Sequence, residues 1–142
     1  MKILLALAML TTAALADGPV RHVVNFKFKK DATPEQIQQL TDAFAELANK
    51  ISVIDSFEWG TNSSPEGLNK GFTHCWILGF HSERDRDYYL NHPDHQAFAT
   101  LAKSLIADVQ VVDFVPAKRI KKPKPLKPKS TIPTAWGAQK TG

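Results

Sequence analysis

The chain has little of what would indicate a disulfide-rich or membrane-spanning protein. It contains a single cysteine, Cys75, so no disulfide can form within one chain. Beyond the N-terminal segment, no stretch approaches the ~20 apolar residues that a transmembrane helix needs. Without disulfides or a membrane span, the central part of the chain must be stabilised by one modest hydrophobic core, or by that core and a partner.

Residues 1–16 have the pattern of a secretory signal peptide. Lys2 supplies a positive charge, residues 3–10 form an apolar core too short to cross a bilayer, and the Ala-Leu-Ala sequence at 14–16 is typical of a cleavage site. We therefore expect cleavage before Asp17 and a secreted or periplasmic protein. An uncleaved N-terminal anchor is the alternative.

The C-terminal segment, residues 117–142, lacks acidic residues altogether. It holds eight of the eighteen Lys and Arg residues. With Lys2 set aside, nine remain in residues 17–116 against all fourteen Asp and Glu, so the central domain is acidic. Alternating lysine and proline predict a disordered basic tail. The tail is suited to an anionic envelope surface or serves only to keep the protein soluble; with Trp136 as its one aromatic residue, no sequence-specific nucleic-acid binding is predicted.

Residues 17–116 show strand and helix patterns in alternation. Apolar periodicity indicates strands near 20–28, 53–61, 72–81 and 109–115, and amphipathic helices at about 33–51 and from 93 to Ile106, with a short helical turn at 82–90. The strand-helix-strand-strand-helix-strand order predicts an α+β, ferredoxin-like fold. Its antiparallel four-stranded sheet has the two helices on one face and the first and third strands at its centre.

The second face of this sheet is predicted to be apolar and uncovered. Val23, Cys75 and Ile77 point to it, and no third helix is left to cover them. Because an exposed apolar sheet face favours association, we expect a homodimer in which two sheets pack together. Cys75 is then a small buried apolar residue rather than a reactive thiol.

Histidines occupy unusual positions in this pattern. His22 and His74 lie on the apolar faces of the first and third strands, and His95 follows the His-Pro-Asp turn that opens the last helix, just after Tyr89. The predicted topology brings them to the helix-covered side of the sheet. Histidine can act as a base near neutral pH and tyrosine as a hydrogen-bond donor. The alternative is structural: His92 or His95 can cap a helix, and His22 and His74 can bond across strands.

The chain also resembles the stress-responsive dimeric A/B barrel domain family over residues 20–116. The similarity lies in short motifs at 21–24, 58–60, 64–68, 71–74, 89–98 and 112–114, among them Gly-Phe-Thr-His ending at His74 and Tyr-Leu-Asn-His-Pro-Asp-His ending at His95. The resemblance implies the fold and dimer deduced above. One plant member of the family closes a linear polyketide by an aldol-type condensation without a metal, using a Tyr/His pair. By this resemblance, Tyr89 and His95 are candidate catalytic residues, and His22 and His74 are candidate ligand-binding residues.

We therefore predict an exported protein that binds a small, largely apolar organic molecule between sheet and helices. The alternative is a cofactor-independent, polyketide-cyclase-like enzyme. His92, Asp94 and His95 could supply ligands to a divalent metal, but their spacing is not that of a metal site. We predict neither a metal nor a cofactor.

Overall fold

Four strands and three helices form the part of the chain that the structure describes, residues 18–117 of a computed structural model. They are β1 (Val20–Phe28), α1 (Pro34–Lys50), β2 (Ser56–Thr61), β3 (His74–Phe80), α2 (Glu83–Asn91), α3 (Pro93–Leu105) and β4 (Ile106–Phe114). The predicted signal peptide, and the predicted basic tail beyond Ala117, lie outside the described residues.

The strands form one antiparallel sheet in the order β2-β3-β1-β4. The predicted ferredoxin-like arrangement, with the first and third strands at its centre, is confirmed. On β1, His22 lies opposite Leu78 of β3 and Asp113 of β4, whereas Phe26 lies opposite His74 and Val109. His22 and His74 therefore share a face of the sheet but not a position along it.

Several predicted boundaries differ from the structure: β2 begins at Ser56 rather than at residue 53, β3 at His74 rather than at residue 72, and β4 at Ile106 rather than at residue 109. The expected helical turn at 82–90 is a full helix, α2, whose first turn is capped by the Ser82 hydroxyl accepting a hydrogen bond from the Asp85 N–H. Ile106, expected at the end of the last helix, instead begins β4 because it pairs with Phe28, while the Lys29 N–H donates to the Leu105 carbonyl at 2.9 Å. Pairing with the sheet thus ends α3 without an intervening loop.

Helix α1 begins as its sequence predicts. Thr33 and Gln36 form a reciprocal capping box, and Pro34 occupies the first turn, where its missing N–H costs nothing. One stripe of the helix then buries Leu40, Phe44 and Leu47, which anchors α1 to the sheet.

All three helices cover the same face of the sheet. The core contains Val24 and Phe26 of β1 and Trp76, Leu78 and Phe80 of β3, packed against Phe44 of α1, Tyr89 of α2 and Phe98 of α3. The opposite face is not covered by any element within residues 18–117, and Ile77, Val112 and Phe114 are 36%, 49% and 47% exposed. Within the same residues, no helix combines the length and apolar character needed to cross a membrane.

Candidate functional site

A cavity of about 310 Å³ lies between the β1–β4 half of the sheet and helices α2 and α3. Its size is at the lower end of the ~300–1,000 Å³ typical of ligand pockets. Most of its wall is apolar, including Phe26, Phe98, Val109 and Val111. The cavity therefore suits a small apolar molecule, and its few polar groups determine what chemistry it can support.

His22 is held by a carboxylate and an arginine. Its Nδ1 lies 2.6 Å from Asp113 Oδ1, and the other oxygen of Asp113 accepts a hydrogen bond from Arg86 Nη1 at 2.7 Å. Because an ionised carboxylate only accepts, the proton of this contact sits on His22 Nδ1. In the neutral ring, Nε2 then keeps a free lone pair. His22 is only 4% exposed, so the pairing fixes both its tautomer and its orientation.

Tyr89 lies between the two histidines of the cavity. Its ring centroid is 5.8 Å from that of His22 and 4.4 Å from that of His95. Burial raises the pKa of the Tyr89 hydroxyl above its ordinary value, because the phenolate would be poorly solvated. The hydroxyl therefore stays protonated and can donate a hydrogen bond to an oxygen bound in the cavity.

His95 is oriented by the end of the preceding helix. Its Nδ1 lies 3.0 Å from the Leu90 carbonyl oxygen; since a carbonyl only accepts, Nδ1 carries the proton and Nε2 is a free acceptor. Burial lowers the pKa of His95, the Leu90 hydrogen bond opposes this effect, and His22 and His92 lower the pKa further whenever they are protonated. His95 is thus neutral near pH 7 and available as a base.

The turn that presents His95 is built around His92. This residue ends α2 and caps α3, with Nδ1 accepting a hydrogen bond from the Asp94 N–H at 3.2 Å. Asp94 Oδ2 is also 3.5 Å from the same nitrogen, but one unprotonated nitrogen cannot donate to a carboxylate while accepting from an N–H. We therefore assign His92 as a neutral cap, and its role is to shape the turn.

His74 does not line this cavity. Its ring stacks against Trp76 and Trp59 and meets the edge of Phe28. It lies opposite Phe26, four residues from His22 along β1, which corresponds to about 13 Å. Of the four sequence-predicted site residues, the structure thus brings together His22, Tyr89 and His95 and leaves His74 at the other end of the sheet.

A second cavity, of about 540 Å³, opens on the uncovered sheet face. His74 and Cys75 line it together with Glu58, Lys70 and several amide side chains. Burial raises the pKa of the Cys75 thiol, so the thiol remains protonated and is a poor nucleophile. Although this cavity is larger and has ionisable side chains, no hydrogen bond or salt bridge within residues 18–117 joins them to one another. In the smaller cavity the rings of His22, Tyr89 and His95 contact each other, and we regard that cavity as the candidate site.

Sequence reasoning missed two members of the site, Asp113 and Arg86. In the sequence, Asp113 is one of two polar residues in an otherwise apolar strand, and the alternation of β4 puts it on the helix-covered face beside His22. The sequence did offer a signal for Asp113: an acidic residue on the buried face of one strand needs a partner, and another strand carries a histidine on the same face. Arg86 carried no such signal, because its approach depends on how α2 lies over the sheet.

Within residues 18–117, no three or more His, Cys, Asp or Glu side chains are grouped as a metal site would require. Of the residues considered as possible ligands, His92 uses Nδ1 to cap α3 and His95 uses Nδ1 to bind the Leu90 carbonyl.

The sequence matches a family model and is similar to two named plant proteins. Residues 20–116 match the stress responsive A/B barrel domain. The chain is 38% identical over 101 residues to the stress-response A/B barrel domain-containing protein HS1 of Arabidopsis thaliana, covering 71% of this chain and 93% of that protein. It is 26% identical over 99 residues to the olivetolic acid cyclase of Cannabis sativa, covering 70% and 98%.

Solved structures show the same fold. The hydroxynitrile lyase of Passiflora edulis superposes with a TM-score of 0.69 at 25% identity, covering 73% of this chain and 98% of that chain. A dimeric ferredoxin-like protein of unknown function from Bacteroides fragilis gives a TM-score of 0.57 at 28% identity, covering 69% and 96%. Two relatives thus carry the names of enzymes, and one is described as a dimer.

Proposed function

This chain belongs to the stress responsive A/B barrel domain family, and we propose that it is an enzyme that needs no cofactor and moves protons within a small, largely apolar carbonyl compound. The observation that carries the proposal is the grouping of two histidines and a tyrosine in the cavity. His22 and His95 each have Nδ1 occupied by an acceptor, and Tyr89 lies between them with a protonated hydroxyl. A base, a donor and a second proton carrier therefore share one apolar site.

The proposed reaction begins with proton removal next to a carbonyl group. His95 Nε2 accepts the proton from the carbon, and the electron pair of the broken C–H bond moves onto the carbonyl oxygen. The Tyr89 hydroxyl donates a hydrogen bond to that oxygen, which carries the developing negative charge. The apolar wall strengthens this interaction because it excludes water.

The second half of the reaction uses the proton that His95 has taken. In an aldol-type ring closure, the enolate carbon attacks a second carbonyl carbon, forming a C–C bond and a new alkoxide, which receives a proton from a protonated histidine. That proton is the one on His95 Nε2; His22, held by Asp113, would carry it only after its unprotonated Nε2 had taken it over from His95. The names of the cyclase and the lyase among the relatives support chemistry of this type, in which a C–C bond is made or broken.

Binding without turnover is the second candidate function. It is favoured by the cavity wall, which is largely apolar, so that a ligand could be held mainly by burial of its carbon skeleton. Native mass spectrometry of the protein purified from its own host would detect a retained molecule. A ligand recovered unaltered from both wild type and His95→Ala would support the binding function.

The same groups would cleave an aromatic hydroxynitrile: His95 Nε2 takes the proton of the hydroxyl group, the carbonyl group forms, and cyanide leaves with the electrons of the C–C bond and receives the proton from the histidine. Cleavage of such a compound, followed by ultraviolet absorption of the released aldehyde, tests the enzymatic proposal. Wild type is expected to exceed the buffer rate, and His95→Gln and Tyr89→Phe to lose at least about 100-fold, within the range for a positioned general acid or base. His81→Gln is the matched control, because His81 is exposed and pairs with Asp55 at the surface. No turnover of hydroxynitriles or of aryl diketones by wild type would leave only the binding function.

The protein is also proposed to be an exported homodimer. The uncovered apolar sheet face and the dimeric Bacteroides fragilis relative support two copies packed face to face. Export rests on the signal-peptide pattern alone, and the tail's proposed contact with an anionic envelope surface on its charge alone. Fractionation of the native host, with the protein detected by an antibody to the domain, would test whether the protein is exported.

A further inference from the structure

The cavity has a second charged residue, Lys103, far from the histidines. Lys103 lines the cavity from α3, eight residues after His95, which corresponds to about 12 Å along the helix axis. Helix α3 runs in the same direction as β1, because its C-terminal residue Leu105 accepts a hydrogen bond from Lys29, just past the end of β1. The cavity is therefore elongated, with His22 and His95 at one end and Lys103 at the other.

The charges along this cavity are unequally compensated. Asp113 is matched by His22 and Arg86, and His95 and Tyr89 are neutral near pH 7. Lys103 takes part in none of the salt bridges formed within residues 18–117. The residues three and four positions away on either side are alanine, threonine and isoleucine, so no acidic side chain faces it along its own helix.

We propose that the cavity binds an elongated organic acid, with its carboxylate at Lys103 and a reactive carbonyl group at His95. This inference rests on the proposed function, because it assigns the substrate class of the same site. An apolar chain or ring between the two polar ends would contact Phe26, Phe98 and Val109. A lysine that lines an apolar cavity and has no salt-bridge partner within residues 18–117 favours an anionic ligand, because a neutral ligand would leave the ammonium group with water as its only partner.

A lysine in the last turn of a helix also has an ordinary role, since it interacts favourably with the helix dipole. Lys50 occupies the corresponding place in α1 and does not line the cavity. Lys50→Gln is therefore the matched control. A dipole role would change the stability of both variants similarly and would leave ligand selectivity unaltered.

The test uses 7-oxo-7-phenylheptanoate and its methyl ester, with dissociation constants measured by isothermal titration calorimetry on the full chain. Wild type is expected to bind the acid about fivefold more tightly than the ester, equivalent to ~1 kcal/mol for an exposed ion pair. Lys103→Gln should abolish this preference, Lys103→Glu should reverse it, and Lys103→Arg and Lys50→Gln should retain it. High salt should reduce it in wild type.

The outcomes separate the two proposals. Equal binding of acid and ester by wild type, or a preference that survives in Lys103→Gln, would overturn the carboxylate site while leaving proton transfer at His95 intact. Binding of neither compound would overturn both the carboxylate site and the assignment of this cavity. A preference lost in Lys50→Gln as well as in Lys103→Gln would assign the effect to helix stability and would also overturn the proposal.

Discussion

The carboxylate of Asp113 holds His22 at 2.6 Å, and the two residues come from the first and last strands of the sheet. Strands β1 and β4 are neighbours in the sheet, so residues 91 positions apart face each other across one pair of strands. The same carboxylate accepts a hydrogen bond from Arg86 of α2. The first strand, the last strand and a helix thus converge on the polar end of the cavity.

Replacing this carboxylate tests its role in positioning His22. Asp113→Asn should reduce kcat/KM by about 10- to 100-fold, because a hydrogen bond to a charged group contributes roughly 1.5–3 kcal/mol. Asp108→Asn is the matched control, since Asp108 lies on the same strand and its side chain accepts only from the neighbouring Val109 N–H. Equal losses in the two variants would indicate a general effect on β4.

The pKa of His95 gives the site a pH dependence of predictable sign. Burial lowers this pKa below the ~6.5 of a free histidine, so the base form and the catalytic rate should persist below pH 6.5 and fall only as the pH passes through the lowered pKa. The same shift also makes the free energy of unfolding depend on pH, because His95 takes up a proton more readily in the unfolded state. Its contribution to the stability of the folded state is complete above pH 6.5 and is lost as the pH falls through the folded pKa. Proton NMR titration of the imidazole signals, assigned with His95→Gln, should show a midpoint below 6.5; a midpoint above it would contradict the assignment.

Packing of α1 onto the sheet should dominate stability. Leu40 is 1% exposed, and Leu40→Ala should lower the free energy of unfolding by about 2–5 kcal/mol through lost burial and a residual cavity. Leu101→Ala removes the same atoms from a residue that is 47% exposed. This variant should change the free energy of unfolding by no more than about 0.5–1 kcal/mol. Urea denaturation followed by tryptophan fluorescence measures both, and comparable losses would be inconsistent with the described core.

The uncovered sheet face should control the oligomeric state. Val112→Glu places a charge at the centre of the proposed interface and should convert the dimer to a monomer in light scattering at micromolar concentration. Leu101→Glu adds the same charge to the helical side and should leave the dimer unchanged. A monomeric wild type would refute the face-to-face dimer, as would a dimer that persists in Val112→Glu.

The fold could be predicted from the sequence because its strands and helices carry clear periodicities. Alternation placed His22 on the helix-covered face of β1, and the capping pattern at Thr33 located the start of α1. The site was only partly predictable. Alternation specifies a face but not a position along the strand, so His74 was grouped with His22, although the register separates them by four residues.

The central claim is that His95 removes a proton from carbon. Exchange of carbon-bound protons with solvent tests it most directly, because exchange requires the base but does not require the rest of the reaction. An aryl methyl ketone in deuterium oxide, followed by NMR, should lose its methyl proton signal faster with wild type or His81→Gln than in buffer. His95→Gln should lose at least about 100-fold of that acceleration, and Tyr89→Phe should also be slower. Equal exchange in wild type and His95→Gln would contradict the assignment of His95 as the base that removes protons from carbon.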